Sequence, residues 1–291
     1  MRSFAQWVLE RRYRLVLVAI ALTPILPVVT TALITLETIR RGATQGALSA
    51  TAGITGVLVF GVLSSADLYV MAMLSAITFL AGVLLGSMVR WAGSLTLAFQ
   101  GILLLCVIVV LAALFIWPDP SALIGAAVNE LVEIFRSSGA TEEQLDLVRS
   151  WNRLFFGIVV TALFSQLAAA LLLGVWWNCF DGLEGQFGEE FRALRLGRVL
   201  GIPATLLMAS SLIVDATLIQ NLFPLALFGF WFQGLAVSHA WAKAKQWHPA
   251  VLVVAYLLLV TPFTGLIILA MGSIGLVDNW IDLRAPIYRA A

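Results

Sequence analysis

The sequence predicts an all-α, polytopic membrane bundle, and three observations carry that prediction. Apolar residues come in long continuous runs broken by short polar punctuation. Charged residues make up 11% of the chain, and mean hydropathy is +1.00. Aromatic residues gather at the ends of the runs. A soluble domain carries roughly a quarter of its residues as Asp, Glu, Lys and Arg. So few charges cannot clothe a water-facing surface, so the surplus apolar area faces acyl chains. A transmembrane barrel is excluded, because its strands alternate inward and outward over about ten residues.

Eight apolar segments follow one another: Leu15–Leu36, Gly42–Leu63, Leu68–Val89, Ser94–Trp117, Leu154–Trp177, Val199–Val214, Leu222–Trp241 and Pro249–Gly272. Most approach the roughly 20 residues that a helix needs to cross the hydrocarbon core. The first follows Arg11, Arg12, Tyr13 and Arg14. It exceeds the roughly 7–15 apolar residues of a signal peptide, and reads as a retained helix slightly kinked by Pro24 and Pro27. The second and third are divided only at 64–67, and the sixth is short, so the count runs from six to eight spans with eight preferred. Trp91, Trp117, Trp151, Trp176, Trp177, Trp241, Trp247 and Trp280 fall near the boundaries, where such rings settle at headgroup level.

With eight spans, the N-terminal arginines share a side with Arg136, Arg149, Arg153 and the tail. Arg40, Arg41, Arg90, Arg192, Arg195, Arg198, Lys243 and Lys245 fall on the other. The near balance leaves orientation to the dense first cluster, which favours a cytoplasmic N-terminus. The whole length, 1–291, reads as one integral membrane domain of a bacterial inner membrane.

One polar stretch interrupts the pattern, residues 118–152. Asp119 before Pro120 reads as a helix N-cap with proline at the first position. Asn129, Glu130, Glu133 and Arg136 share one helical face, with Leu123, Ala127, Leu131 and Ile134 on another. Ser138-Gly139 supplies a left-handed C-cap, and Thr141-Glu142-Glu143-Gln144 a capping box for a second helix. The stretch reads as an amphipathic helical hairpin between spans four and five, packed as a lid or docking a partner.

Chemistry is sparse. Gly42, Gly46 and Gly53 recur at helical spacing in the second span, and Gly82 and Gly86 in the third; such small faces let helices approach closely in lipid. Gln233 lies inside the seventh span and must find a hydrogen-bond partner there. His239 lies near that span's end and on a different face from Gln233. Asp215 reads as part of a turn with Gln220 and Asn221. Gln233, His239, Asp215 and Asn221 together form the candidate ligand-binding set. In the tail, Asp278 and Asp282 sit four apart with Arg284 able to pair with either; two carboxylates are too few for a metal site. Cys106 and Cys179 read as packed thiols, not as a disulfide. No cofactor is implied, and a net charge of +1 gives no reason to expect a nucleic-acid partner. The chain has no Walker A sequence, His-Glu-x-x-His or Gly-x-Ser-x-Gly, which argues against an enzyme.

Gln233-Gly234-Leu235-Ala236, His239, Pro262, the Arg195–Pro203 stretch and the closing Gly275-Leu276 through Arg284 run resemble the YybS-like family of bacterial membrane proteins, which has no known function. The resemblance covers most of the second half; the first half is similar only in hydropathy. In general build the family is similar to the substrate-binding subunits of energy-coupling-factor transporters and to MreD. It implies a non-enzymatic, transport-type subunit that binds a small solute or lipid between its helices. The alternative is a membrane scaffold acting on a membrane-protein partner through 118–152.

Overall fold

A computed structural model of the chain describes residues 4–64, 67–117, 125–150, 152–180 and 185–286. The predicted cap at Asp119 and Pro120, and Leu123, lie outside them. Among the described residues every regular element is helical: α1 (Phe4–Leu9), α2 (Arg12–Leu22), α3 (Pro27–Arg41), α4 (Ala43–Leu63), α5 (Leu68–Ala92), α6 (Leu95–Ile116), α7 (Gly125–Ser137), α8 (Glu142–Ser150), α9 (Asn152–Asn178), α10 (Gln186–Arg192), α11 (Gly197–Ser210), α12 (Thr217–Ala244), α13 (Ala250–Leu258) and α14 (Thr264–Ile281). Six of them, α4, α5, α6, α9, α12 and α14, are long and apolar enough to cross a membrane; there are seven if α10 and α11, bent by 45°, count as one span. The chain is therefore an integral, multi-pass, α-helical membrane protein.

Three predicted segments differ from the elements observed, two of them because of proline. The first is a hairpin rather than one kinked span. The helix stops at Leu22 and restarts at Pro27, a first-turn position where the missing N–H costs nothing. The two legs run antiparallel. Thr30 Oγ1 donates to the Ala19 carbonyl at 3.3 Å, Arg12 Nε lies 3.9 Å from Glu37 Oε1, and Arg41 donates to the Leu9 carbonyl. Both outer ends thus lie together, which corrects the division that set the N-terminal arginines opposite Arg40 and Arg41. The eighth segment breaks around Pro262, so α13 has only nine residues and α14 carries the apolar length, ending at Ile281 instead of Gly272. The sixth gives a 14-residue α11, and α12 begins at Thr217, before the predicted Leu222. At 64–67 the division is sharp: Asp67 caps α5, its side chain accepting from the Tyr69 and Val70 N–H groups at 2.9 and 3.2 Å.

By internal contacts the chain forms two units, 1–102 with 165–193, and 103–164 with 194–291; α6 and α9 contribute to both. In the first unit α3 is the central element. Every residue from Thr30 to Thr38 has no solvent exposure. Glycines of its neighbours make room for it. A Cβ on Gly82 would stand 2.9 Å from the Thr31 carbonyl oxygen, one on Gly86 2.7 Å from that of Thr35, and one on Gly174 3.1 Å from that of Ala32.

In the second unit α12 is central and packs antiparallel on α14. Their backbones nearly touch: a Cβ on Gly234 would fall 1.9 Å from the Met271 oxygen, and one on Gly275 1.9 Å from the Phe230 oxygen. Phe164 of α9 meets Phe232 edge-on at 5.9 Å between ring centroids. α7 closes with Gly139 at φ +87°, the Ala140 N–H bonding Phe135 and the Gly139 N–H bonding Arg136. α8 opens with Thr141 and Gln144 exchanging backbone-to-side-chain bonds at 2.9 and 3.4 Å. Both local signals in the sequence therefore form as read.

Candidate functional site

The second unit holds a buried polar node. Gln233 lies in the middle third of α12 with no exposed surface. Its Oε1 accepts the Leu196 N–H at 2.9 Å, and its Nε2 donates to Asp278 Oδ2 at 2.8 Å. Asp278, on the last turns of α14, takes a two-pronged pairing from Arg284. Nε donates to Oδ1 at 3.2 Å and Nη2 to Oδ2 at 2.6 Å. The remaining Nη1 donates to the Leu194 carbonyl at 3.2 Å. Asp278 and Arg284 are 1% and 0% exposed, so the ion pair is fully desolvated. Arg284 can fold back because Asp282 takes the left-handed conformation at the end of α14, φ +51°.

The node has a clear physical purpose. α11 begins at Gly197, so the backbone just before it lacks helical partners. An unpaired backbone group at membrane depth costs several kcal/mol. Gln233 and Arg284 supply the missing partners to Leu196 and Leu194. Asn279 adds a bond from Nδ2 to the Gly197 carbonyl at 3.3 Å, and Arg195 pairs with Asp282. The tail carboxylates therefore do not act together: Asp278 holds Arg284 and Asp282 holds Arg195.

The four residues of the candidate ligand set are not brought together. His239 Nε2 lies 2.8 Å from the Tyr256 hydroxyl, away from Gln233. The two side chains border a cleft of about 20 Å³ with Ser238 and Met271, room for about one water. Asp215 lies in the turn between α11 and α12, where Gln220 donates to it. Asn221 is not in that turn. α12 starts four residues before it, and Asn221 is buried, Oδ1 accepting the Gly157 N–H at 2.7 Å and Nδ2 donating to the Thr217 carbonyl at 2.8 Å. It ties α12 to α9 at a glycine contact.

Of the small residues, Gly46 faces Thr38, Gly53 the Phe79 ring, Gly82 Ile34 and Gly86 Thr38 again. Gly42 is different. It has φ +94° and nothing within 4 Å of a would-be Cβ, so it forms the turn between α3 and α4 and is no packing residue.

The sequence reading passed over Glu37. It is fully buried on α3, with Oε1 3.3 Å from Arg41 Nη1. Its Oε2 has no hydrogen-bond partner, and neither do the buried hydroxyls of Thr38 and Ser49. The other hydroxyls of this region bond to backbone carbonyls, Thr31 to Thr78 at 3.1 Å and Thr35 to Thr31 at 2.8 Å. The signal available was a single Glu directly after an apolar run. The two cysteines are free and buried, and burial raises the Cys179 thiol above its ordinary range. Among the described residues no group of three or more His, Cys, Asp or Glu converges as metal ligands.

These features define a polytopic α-helical membrane protein with two buried polar centres. No family model, curated protein or solved structure matches the chain.

Proposed function

We propose that this chain is a non-enzymatic, transport-type subunit of a bacterial inner membrane that binds a small polar solute or a lipid headgroup between its helices. The observation that carries the reading is Glu37, fully buried with an unpartnered Oε2 beside the unpartnered hydroxyl of Thr38. Buried ionisable side chains in a membrane bundle are costly and are candidates for a ligand pathway. The hairpin that carries Glu37 supports the same reading. Legs of 11 and 15 residues reach about 16 and 22 Å, short of the roughly 30 Å core. Both start from one end, so α2–α3 is a re-entrant element. Irregular backbone such as its turn at 23–26 is tolerated at depth only inside protein or beside a cavity.

The orientation follows from the same hairpin. Arg11, Arg12, Arg14, Arg40, Arg41 and Arg90 share one end of the first unit, while the break at 64–67 has no Lys or Arg. The positive-inside rule then places the arginine end in the cytoplasm. The tail motif supports YybS-like membership.

Native mass spectrometry of gently purified protein tests the function. A co-purified small molecule is retained by the wild type and its retention drops about 10–100-fold in Glu37→Gln, the value of a bond to a charged group. Wild type and variant flying equally empty would sink the reading. A second reading, a scaffold, draws on α7, whose Ile134 and Phe135 are 53% and 46% exposed. Photo-crosslinking from Phe135 captures a membrane-protein partner if it holds, and captures only lipid if it does not.

A further inference from the structure

We infer that Arg12 and Arg41 form a gate over Glu37, and that the solute of the proposed function enters past them. The inference rests on that function and adds the route to the site. Glu37 has no exposed surface, yet the side chains of the two arginines that meet it are 43% and 35% exposed. One layer of side chains therefore separates the buried carboxylate from the outside. On its inner side the layer ends on Glu37 Oε1, with Arg41 Nη1 at 3.3 Å and Arg12 Nε at 3.9 Å. On its outer side Arg41 Nη2 donates to the Leu9 carbonyl, and Arg12 Nη2 to Gln45 Oε1.

The layer can open without moving a helix. Arg12 opens α2, Arg41 closes α3, and Gln45 sits on the first turn of α4. All three are long side chains at the ends of elements, and partly exposed ion pairs of this kind are weak. Exposed side chains change rotamer in picoseconds to nanoseconds. Breaking the Arg12–Gln45 bond frees one half of the cover, while the backbone of α3 stays held in its socket. Beneath the layer lie the oxygens that have no partner: Glu37 Oε2, Thr38 Oγ1 and Ser49 Oγ. Ser49 is one turn inward from Gln45 on α4, and Gly46 between them faces Thr38. A closed core bonds its polar atoms. Unbonded oxygens under a thin polar cover suit a passage that a solute with hydrogen-bonding groups enters.

The test places a thiol beneath the layer, Ser49→Cys, in the full-length chain in mild detergent. That exchange removes no hydrogen bond, since Ser49 Oγ makes none. The probe is methyl methanethiosulfonate, small and neutral, and peptide mass spectrometry reads the rate at position 49 apart from the native thiols. Gln45→Ala removes the outer bond of Arg12 and speeds labelling about tenfold, the lower end for a hydrogen bond to a charged group. Gln45→Glu replaces it with an ion pair and slows labelling about threefold. Ser75→Cys, buried on α5, keeps its rate in both backgrounds. Thr38→Cys serves as a second reporter if Ser49→Cys fails to fold. Rates indifferent to residue 45, or a Ser75→Cys thiol that speeds in parallel, overturn the gate. If Glu37→Gln loses a co-purified molecule while the rates ignore residue 45, the solute reading stands and the gate falls. If the rates respond but wild type and Glu37→Gln fly equally empty, the solute reading falls and the inferred route for it falls too.

Discussion

At the scale of residues, the Asp278–Arg284 pair sets the strongest energetic constraint. Removing one partner of a buried ion pair leaves an uncompensated charge and costs about 3–5 kcal/mol, whereas replacing both with apolar groups is often neutral. Asp278→Leu should therefore lower the thermal midpoint in detergent sharply, and Asp278→Leu with Arg284→Met should recover much of the loss. Losses that simply add would show the pair to be uncoupled. Gln233→Leu removes the partner of the Leu196 N–H and one of the two bonds to Asp278 Oδ2, and should cost about 1–3 kcal/mol in the same assay. The sequence marked Gln233, Asp278 and Arg284 as unusual, because each interrupts or closes an apolar run. That they form one node was not legible, since 45 residues separate Gln233 from Asp278 and no local pattern links them. Glu37 escaped notice for the opposite reason: next to Arg40 and Arg41 it looked like an ordinary polar end of a span.

At the scale of elements, helix type and caps were legible, and direction was not. Hydropathy along Leu15–Leu36 is the same whether the chain crosses or doubles back; only the contacts between Ala19 and Thr30 reveal the reversal. Cysteine accessibility measures it directly. Arg11→Cys and Thr44→Cys, both exposed, should react with a membrane-impermeant maleimide from the same side, and Ser64→Cys from the other. Positions 11 and 44 labelling from opposite sides would restore a spanning first segment. The native thiols are buried, so background labelling stays low. Helix contact is testable too. Gly234→Ala drives a Cβ into the Met271 carbonyl and should cost about 1–3 kcal/mol. Gly265→Ala, on α14 with nothing within 4 Å, should be neutral or slightly stabilising.

At the scale of the whole molecule, each unit is built around one central helix that its neighbours bury. α3 is polar, rich in threonine and seated among glycines; α12 is apolar around Gln233. This organisation explains why small residues recur in α4 and α5. They are the socket for a helix that lipid would not accept. Composition alone showed the small faces but not their occupant, because an apolar partner would have needed the same glycines.

That socket also imposes an order of events on biogenesis. The α2–α3 hairpin leaves the ribosome before the walls that shelter Thr30 through Thr38, which are contributed by α4, α5 and, later, Gly174 of α9. The hairpin is thus made before its shelter is complete. Until α9 emerges, the face of α3 at Ala32 and Thr35 lacks its cover. A chain stopped after α6 should leave that hairpin open to protease, and a chain that includes α9 should close it.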